Sequence, residues 1–154
     1  MKSLLLFLLV APILCSATTG SIHVTGHLLC HDQPYRRETV RIYEYNKIES
    51  DGYWGEVTTD DSGYFSLKMT GSDWFSVSPY LWIPNYCAAT IIDTTQCTES
   101  CIKIEIPEQY ISEGHIPKLK FDVGNLELLD MEFGQQPSLF KVIFGYAKEC
   151  RERL

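Results

Sequence analysis

Basic charge is scarce in this sequence. Lys and Arg together number 13 against 20 Asp and Glu, a net charge of −7 over 154 residues. A nucleic-acid binder needs clustered cations to neutralise phosphates, and no such cluster is present, so that function class is disfavoured. Long apolar runs are equally scarce. Leu4 to Leu14 is the one extended stretch, and Pro12 interrupts it; about 20 apolar residues are needed to cross a bilayer, so no transmembrane segment is expected. With Lys2 before it and Cys15-Ser16-Ala17 after it, small residues at −3 and −1, residues 1–17 read instead as a secretory signal peptide, the mature chain starting at Thr18. Internal repeats and low-complexity tracts are absent. An apolar fraction of 45% is too high for a disordered chain, and the length is that of one globular domain.

Metal-ligand spacing is missing as well. Cys97 and Cys101 form the sole close cysteine pair, with no second Cys or His pair for a zinc site. His23, His27 and His31 recur every four residues, but four residues of strand span about 13 Å, too far for two imidazoles to share an ion. They read as histidines on the outer side of a strand. Asp60-Asp61-Ser62-Gly63 lacks the alternating oxygen ligands and terminal Glu of an EF-hand loop and reads as a tight hairpin turn. Neither metal nor cofactor is expected. Cys15 leaves with the signal, so Cys30, Cys87, Cys97, Cys101 and Cys150 remain, which allows two disulfides and one spare thiol with the pairing open.

What is present is period-two alternation. In Ile22–Cys30, Ile22, Val24, Gly26, Leu28 and Cys30 share one side; in Tyr64–Met69, Phe65, Leu67 and Met69 do. Thr39–Tyr45, Trp54–Thr59, Pro79–Tyr86, Cys101–Ile106 and Phe121–Leu129 complete seven short strands, which indicates an all-β, antiparallel β-sandwich over residues 21–130. Pro84 lacks an N–H and would confine its strand to an edge or a bulge. Residues 131–154 form a separate tail. Ser138 is a candidate N-cap, and Leu139, Ile143, Tyr146, Ala147 and Cys150 fall at helical spacing, so an amphipathic helix is preferred. A strand is the alternative, since Phe140, Val142, Phe144 and Tyr146 alternate and Gly145 weakens a helix by about 1 kcal/mol. With Lys141, Lys148, Arg151 and Arg153 against Glu149 and Glu152, this basic tail would dock on its own acidic domain, stapled through Cys150, rather than lie on an anionic membrane.

The blocks His23-Val24-Thr25-Gly26-His27-Leu28-Leu29-Cys30, Val40-Arg41-Ile42-Tyr43-Glu44 and Thr58-Thr59-Asp60-Asp61-Ser62-Gly63-Tyr64-Phe65 resemble the secreted transthyretin-like family of nematodes. Pro79-Tyr80-Leu81-Trp82-Ile83, Cys101-Ile102-Lys103-Ile104-Glu105-Ile106-Pro107 and Phe121-Asp122-Val123-Gly124-Asn125-Leu126 extend the likeness from Ser21 to Leu129. The chain departs from the family in having Asn85-Tyr86 where a His-Asp usually precedes the cysteine, in the additional Cys97, and in a longer tail. The resemblance implies a seven-stranded Greek-key sandwich of the transthyretin (prealbumin) type, secretion, and association with extracellular or cell-surface partners. It also implies a four-cysteine pattern, Cys30 with Cys150 and Cys87 with Cys101, with Cys97 spare or replacing Cys101. No chemistry comes with it. Hydrolases of 5-hydroxyisourate share the fold and are the alternative function, but their C-terminal Tyr-Arg-Gly-Ser is absent, and His23 with the distant His115 does not make a positioned acid–base set.

The functional lead is aromatic. Most of Tyr53, Trp54, Trp74, Phe75, Tyr80 and Trp82 should pack the core, yet Tyr53, Trp54, Trp74 and Phe75 lie at strand ends and loops, where exposed aromatics mark binding surfaces. Glu44, Glu49, Asp51, Glu56, Asp60 and Asp61 read as a solvated acidic face. The expected function is non-enzymatic binding of an extracellular protein, lipid or small apolar ligand.

Overall fold

The computed structural model describes residues 17–46, 48, 50–74, 76–129 and 142–152. The expected signal peptide up to Ser16, Phe75, and the tail from Met131 to Lys141 lie outside the described residues. Two sheets pack face to face. The first holds β1 (Thr18–Cys30), β2 (Gln33–Pro34), β5 (Tyr64–Asp73), β9 (Ser112–Glu113) and β10 (Lys120–Glu127); the second holds β3 (Thr39–Glu44), β4 (Gly52–Thr58), β6 (Pro79–Pro84), β7 (Thr90–Ile92), β8 (Thr95–Glu105) and β11 (Val142–Glu152). All seven expected strands are present, and the chain is an all-β sandwich.

The core is built from the alternation that defines the strands. Ile22, Val24 and Leu28 of β1, Val40 and Ile42 of β3, Leu81 and Ile83 of β6, and Ile102 and Ile104 of β8 are wholly buried, and Phe65, Leu67, Phe121, Val123 and Leu126 join them. Each such side chain contributes roughly 1.5–3 kcal/mol on leaving water. Within the first sheet, β1 is flanked by β5 and β2 on one edge and by β9 and β10 on the other. The pairing with β5 is antiparallel; that with β10 is parallel, with an irregularity where Thr25 and His27 face Asp122 and Asn125. That extra residue in β10 keeps both Val123 and Leu126 on the buried side.

In the second sheet the order is β4-β3-β6-β8-β11. β6 is therefore a central strand, not the edge or bulge that Pro84 suggested. Pro84 is tolerated because pairing with β3 stops at Arg41–Trp82, so no strand on that side asks for its missing N–H. Asp60–Gly63 forms the expected turn, but it joins the two sheets, because β4 pairs with β3 and β5 with β1. Asp60 Oδ1 accepts from the Ser62 N–H (2.8 Å), the Ser62 hydroxyl (2.7 Å) and the Tyr64 N–H (2.9 Å). Those bonds hold its carboxyl below the usual carboxylate range, the Ser62 hydroxyl foremost. Gly63 sits at φ +77°, and a Cβ there would meet the Leu28 carbonyl oxygen at 2.4 Å.

The preferred C-terminal helix is overturned across Val142–Glu152. This segment is β11, antiparallel to β8 from Val142–Ile104 to Glu152–Thr95, with a bulge between Tyr146 and Glu149. The edge of β8 offers unpaired N–H and C=O groups that a strand satisfies and a helix cannot. Side chains then lock it. Glu149 takes both Arg41 Nη groups at 2.9 Å, and Arg151 lies 3.1 Å from the buried Glu38 carboxylate. Arg151 also donates to the Tyr35 hydroxyl at 3.2 Å and stacks 3.9 Å from the Tyr86 ring centroid.

The disulfides differ from both expected versions: Cys30 joins Cys87, and Cys97 joins Cys150. Neither Cys30–Cys150 nor Cys87–Cys101 forms, and Cys97 is not spare. β1 ends beside the 3₁₀ turn Tyr86–Ala88, which brings Cys30 and Cys87 to a Cα separation of 5.7 Å. Cys97 and Cys150 are direct partners across β8 and β11, 4.1 Å apart at Cα. Cys101 keeps its thiol and is buried, opposite Pro84 of β6 and Gly145 of β11.

Candidate functional site: the loop end of the sandwich

Where β3 runs into β4, β5 into β6, and β8 into the 3₁₀ turn Glu108–Tyr110, three connections meet at one end of the sandwich. The β3–β4 and β5–β6 connections are tied together, the Tyr45 N–H donating to the Ser78 carbonyl at 3.1 Å. They enclose a groove of 720 Å³ whose walls include Tyr45, Asp51, Tyr80, Lys103, Glu105 and Glu108. A second groove of 300 Å³ is lined by Glu44, Asn46, Asp73 and Trp74, at the end of β5 and the start of the β3–β4 connection. On these connections large apolar side chains face solvent: Tyr45 of the larger groove is 55% exposed, Trp74 of the smaller 66%, and Ile48, in the β3–β4 connection, 79%.

The four aromatics singled out from the sequence separate here. Trp74 lines the smaller groove. Tyr53 is exposed but sits on β4, its ring 5.5 Å from that of Tyr43 on the outer face of the second sheet. Trp54 is partly buried against the core, its indole donating to Glu44 Oε2 at 3.0 Å. Gly71 makes room for it, since a Cβ at that position would fall 1.9 Å from the indole ring. Phe75 lies outside the described residues. Tyr45 and Ile48 escaped the sequence reading. Alternation makes Tyr45 the last residue of its strand, whereas β3 stops at Glu44 and leaves it in the connection; an isolated Ile48 in a polar loop is the available signal.

The acidic stretch is not one solvated face. Glu44 is 6% exposed and bound to Trp54; Asp51 accepts the Tyr80 phenol at 2.6 Å; Glu56 pairs with Arg41 at 3.2 Å. Burial raises the Glu44 carboxyl above its ordinary range and the nearby Asp73 charge adds to that, while the Trp54 bond opposes it. Burial and the bond to Asp51 likewise push the Tyr80 phenol up. The Lys103 ammonium rests 5.1 Å from the Tyr80 ring centroid.

Elsewhere the expected histidines are placed on or beyond β1. His23 Nε2 lies 3.1 Å from the Ser66 hydroxyl, and burial together with the nearby Lys68 and Lys120 charges depresses its pKa. His115 is exposed on the segment after β9, its backbone carbonyl accepting from Thr70. Among the described residues the one three-donor cluster within 4.8 Å is Cys30, His31 and Cys87. Its two sulfurs are joined to each other, and a disulfide offers no thiolate to a metal.

Two packed sheets, with one disulfide from the end of β1 to the 3₁₀ turn after β6 and another joining β8 to β11 within the second sheet, and an open loop end, define a transthyretin-type β-sandwich module. A family model described as the transthyretin-like family matches residues 25–107. The chain belongs to that family. Among its relatives in Caenorhabditis elegans, transthyretin-like protein 33 is 29% identical over 111 residues, covering 71% of this chain and 75% of the relative. Transthyretin-like protein 46 is 28% identical over 70% of this chain and 59% of its own length. Transthyretin-like protein 5 is 26% identical over 83% of this chain and 91% of its own length. None of these names carries an enzymatic activity. Among the described residues, no helix is long and apolar enough to cross a membrane.

Proposed function

We propose that this chain is a secreted, non-enzymatic binding protein that engages an extracellular or cell-surface partner through the loop end of its sandwich. The observation that carries this is that Tyr45, lining the larger groove, and Trp74, lining the smaller, are both more than half exposed on abutting connections, with the exposed Ile48 in the same β3–β4 connection as Tyr45. Water-facing aromatic and aliphatic side chains grouped beside a concavity cost solvation free energy that a partner recovers. Secretion is supported by the apolar N-terminal segment, by the start of β1 at Thr18 beside the expected cleavage point, and by two disulfides of the kind that persist in oxidising compartments. Family membership adds the fold without a reaction.

A photo-crosslinking amino acid placed at position 74 tests the site. The control is the same group at Ile92, 62% exposed on β7, which pairs with the far end of β8. After incubation in extracellular fluid and irradiation, specific adducts are expected from position 74 and not from position 92. Adducts confined to position 92 would overturn the assignment.

A further inference from the structure

β1 opens at Thr18, and the residue before it, Ala17, lines the smaller groove together with Glu44, Gly52, Asp73 and Trp74. The described lining of that groove holds two carboxylates and no lysine or arginine. Strand register fixes where the first residues of β1 point. Thr18 pairs with Asp73, and Thr19 with Ser72, their two hydroxyls lying 3.1 Å apart. The Thr19 carbonyl turns to the other edge of β1, where it accepts the Gly114 N–H at 2.9 Å. Successive residues of a strand send their backbone groups to opposite edges, so the Thr18 nitrogen faces β5 and its partner Asp73. The Asp73 carboxylate is itself fixed, its Oδ1 accepting the Trp74 N–H.

Resting on the reading of the chain as secreted, we propose that the cleavage which frees Thr18 completes the smaller groove, the new α-ammonium of Thr18 seating there against Asp73 in the field of Glu44. In the cut, water adds across the Ala17–Thr18 peptide bond. Ala17 departs with the leader as a carboxylate, and the Thr18 nitrogen takes up a proton to become an ammonium. One N–H group then serves the pairing with β5, and the added donors serve the Asp73 carboxylate. Loss of Ala17 clears its place in the lining. Asp73 already acts on Glu44 as a like charge, and a cation beside the two relieves that opposition. The ionisable groups brought to this end of the first sheet are Asp73 from β5, Glu44 from β3, and Glu113, His115 and Lys118 from the segment that meets the opposite edge of β1. Of these, Asp73 and Glu44 share the groove with Ala17. Removal of the leader is thereby coupled to the surface beside Trp74.

The test expresses the full chain with its leader in a secreting eukaryotic cell, and mass spectrometry of the exported protein reads its first residue, expected to be Thr18. Competitive acetylation with acetic anhydride, followed at the N-terminal peptide, then titrates the α-amine. An ordinary α-amine titrates at about 7.7–8.0, and opposite charges favour its ammonium form, so a value above about 8.5 is expected. Asp73→Asn should return it to about 7.7–8.0 and speed labelling at about pH 7 roughly fivefold, with Glu44→Gln acting in the same direction and less. In a chain carrying Gly-Ser ahead of Thr18, the terminal amine should titrate normally and ignore Asp73→Asn. An ordinary value in the chain that begins at Thr18, or a raised one that neither substitution moves, would overturn the pairing. Export with a different first residue would overturn this inference and leave secretion standing, whereas a chain held in the cell with its leader attached would overturn the secretion reading itself.

Discussion

Replacing Arg151 by Met tests the lock that holds the last strand. Glu38 is 1% exposed, and Arg151 Nη1 donates to its Oε1 at 3.3 Å. The same nitrogen lies 3.1 Å from Oε2 without hydrogen-bond geometry, so that half of the contact is Coulombic. Breaking a fully buried ion pair by removing one partner costs about 3–5 kcal/mol. Arg151 keeps 27% of its side chain in solvent, which trims the loss to about 2–3 kcal/mol by screening. Loss of the stack on Tyr86, 3.9 Å away, adds about 1 kcal/mol. Roughly 3 kcal/mol is a large share of a domain's typical 5–15 kcal/mol.

The pH dependence identifies the group responsible. Burial raises the folded-state pKa of Glu38 above its unfolded value, while Arg151 and the Thr39 N–H oppose the rise. A carboxyl raised in this way favours folding below the unfolded value of 4.5, and that contribution is lost as pH climbs through the folded value. Without Arg151 the folded value rises further, so the gap between wild type and Arg151→Met should be near its full size at about pH 7 and shrink markedly by about pH 4. Urea unfolding followed by tryptophan emission at both pH values measures it, and Glu38→Gln combined with Arg151→Met should recover much of the loss at neutral pH. A gap equal at both pH values would show that Glu38 is not the charge left unpaired.

Gly71→Ala should destabilise by about 1–3 kcal/mol, because its Cβ would overlap the Trp54 ring; thermal melting reads the loss, and in a variant retaining Trp54 as sole tryptophan the emission should shift red. Cys97→Ser with Cys150→Ser should cost up to about 4 kcal/mol, the chain-entropy value for a crosslink spanning 53 residues, with peptide mapping still finding Cys30 joined to Cys87. Gly63→Ala combines about 1–2 kcal/mol of left-handed backbone strain with the clash on the Leu28 carbonyl oxygen, and its melting temperature should fall while Ser62→Ala, which keeps the glycine, falls less.

Period-two alternation made the seven strands legible, because in each one an apolar face is bought by burial and pairing partners matter little to the pattern. What alternation cannot state is which strands lie side by side. The parallel partnership of β1 with β10, the central place of β6 despite Pro84, and the crossing of the Asp60–Gly63 turn between sheets are all facts of register between residues far apart in sequence. The disulfides failed for the same reason. Cys97 and Cys101 are four residues apart on one strand, yet Cys97 meets Cys150 while Cys101 faces Gly145. Among the aromatics, residue type flagged Trp54 and Trp74 equally; the glycine opposite Trp54 and the carboxylate within reach of its indole separate them, and both belong to other strands.

The tail shows where local pattern and tertiary context compete. Its residues satisfy helical spacing and alternation at once, and the surplus of basic side chains suggested docking on the acidic domain. Docking occurs, but the selectivity comes from both signs. Glu149 meets Arg41 and Arg151 meets Glu38, two residues apart on β11, so that strand register and charge order must agree. A helix would place those two side chains about 200° apart around its axis, whereas a strand presents positions i and i+2 on one face. The alternation of Glu149 and Arg151 about Cys150 is thus itself a strand signature, readable only once their partners Arg41 and Glu38 are known.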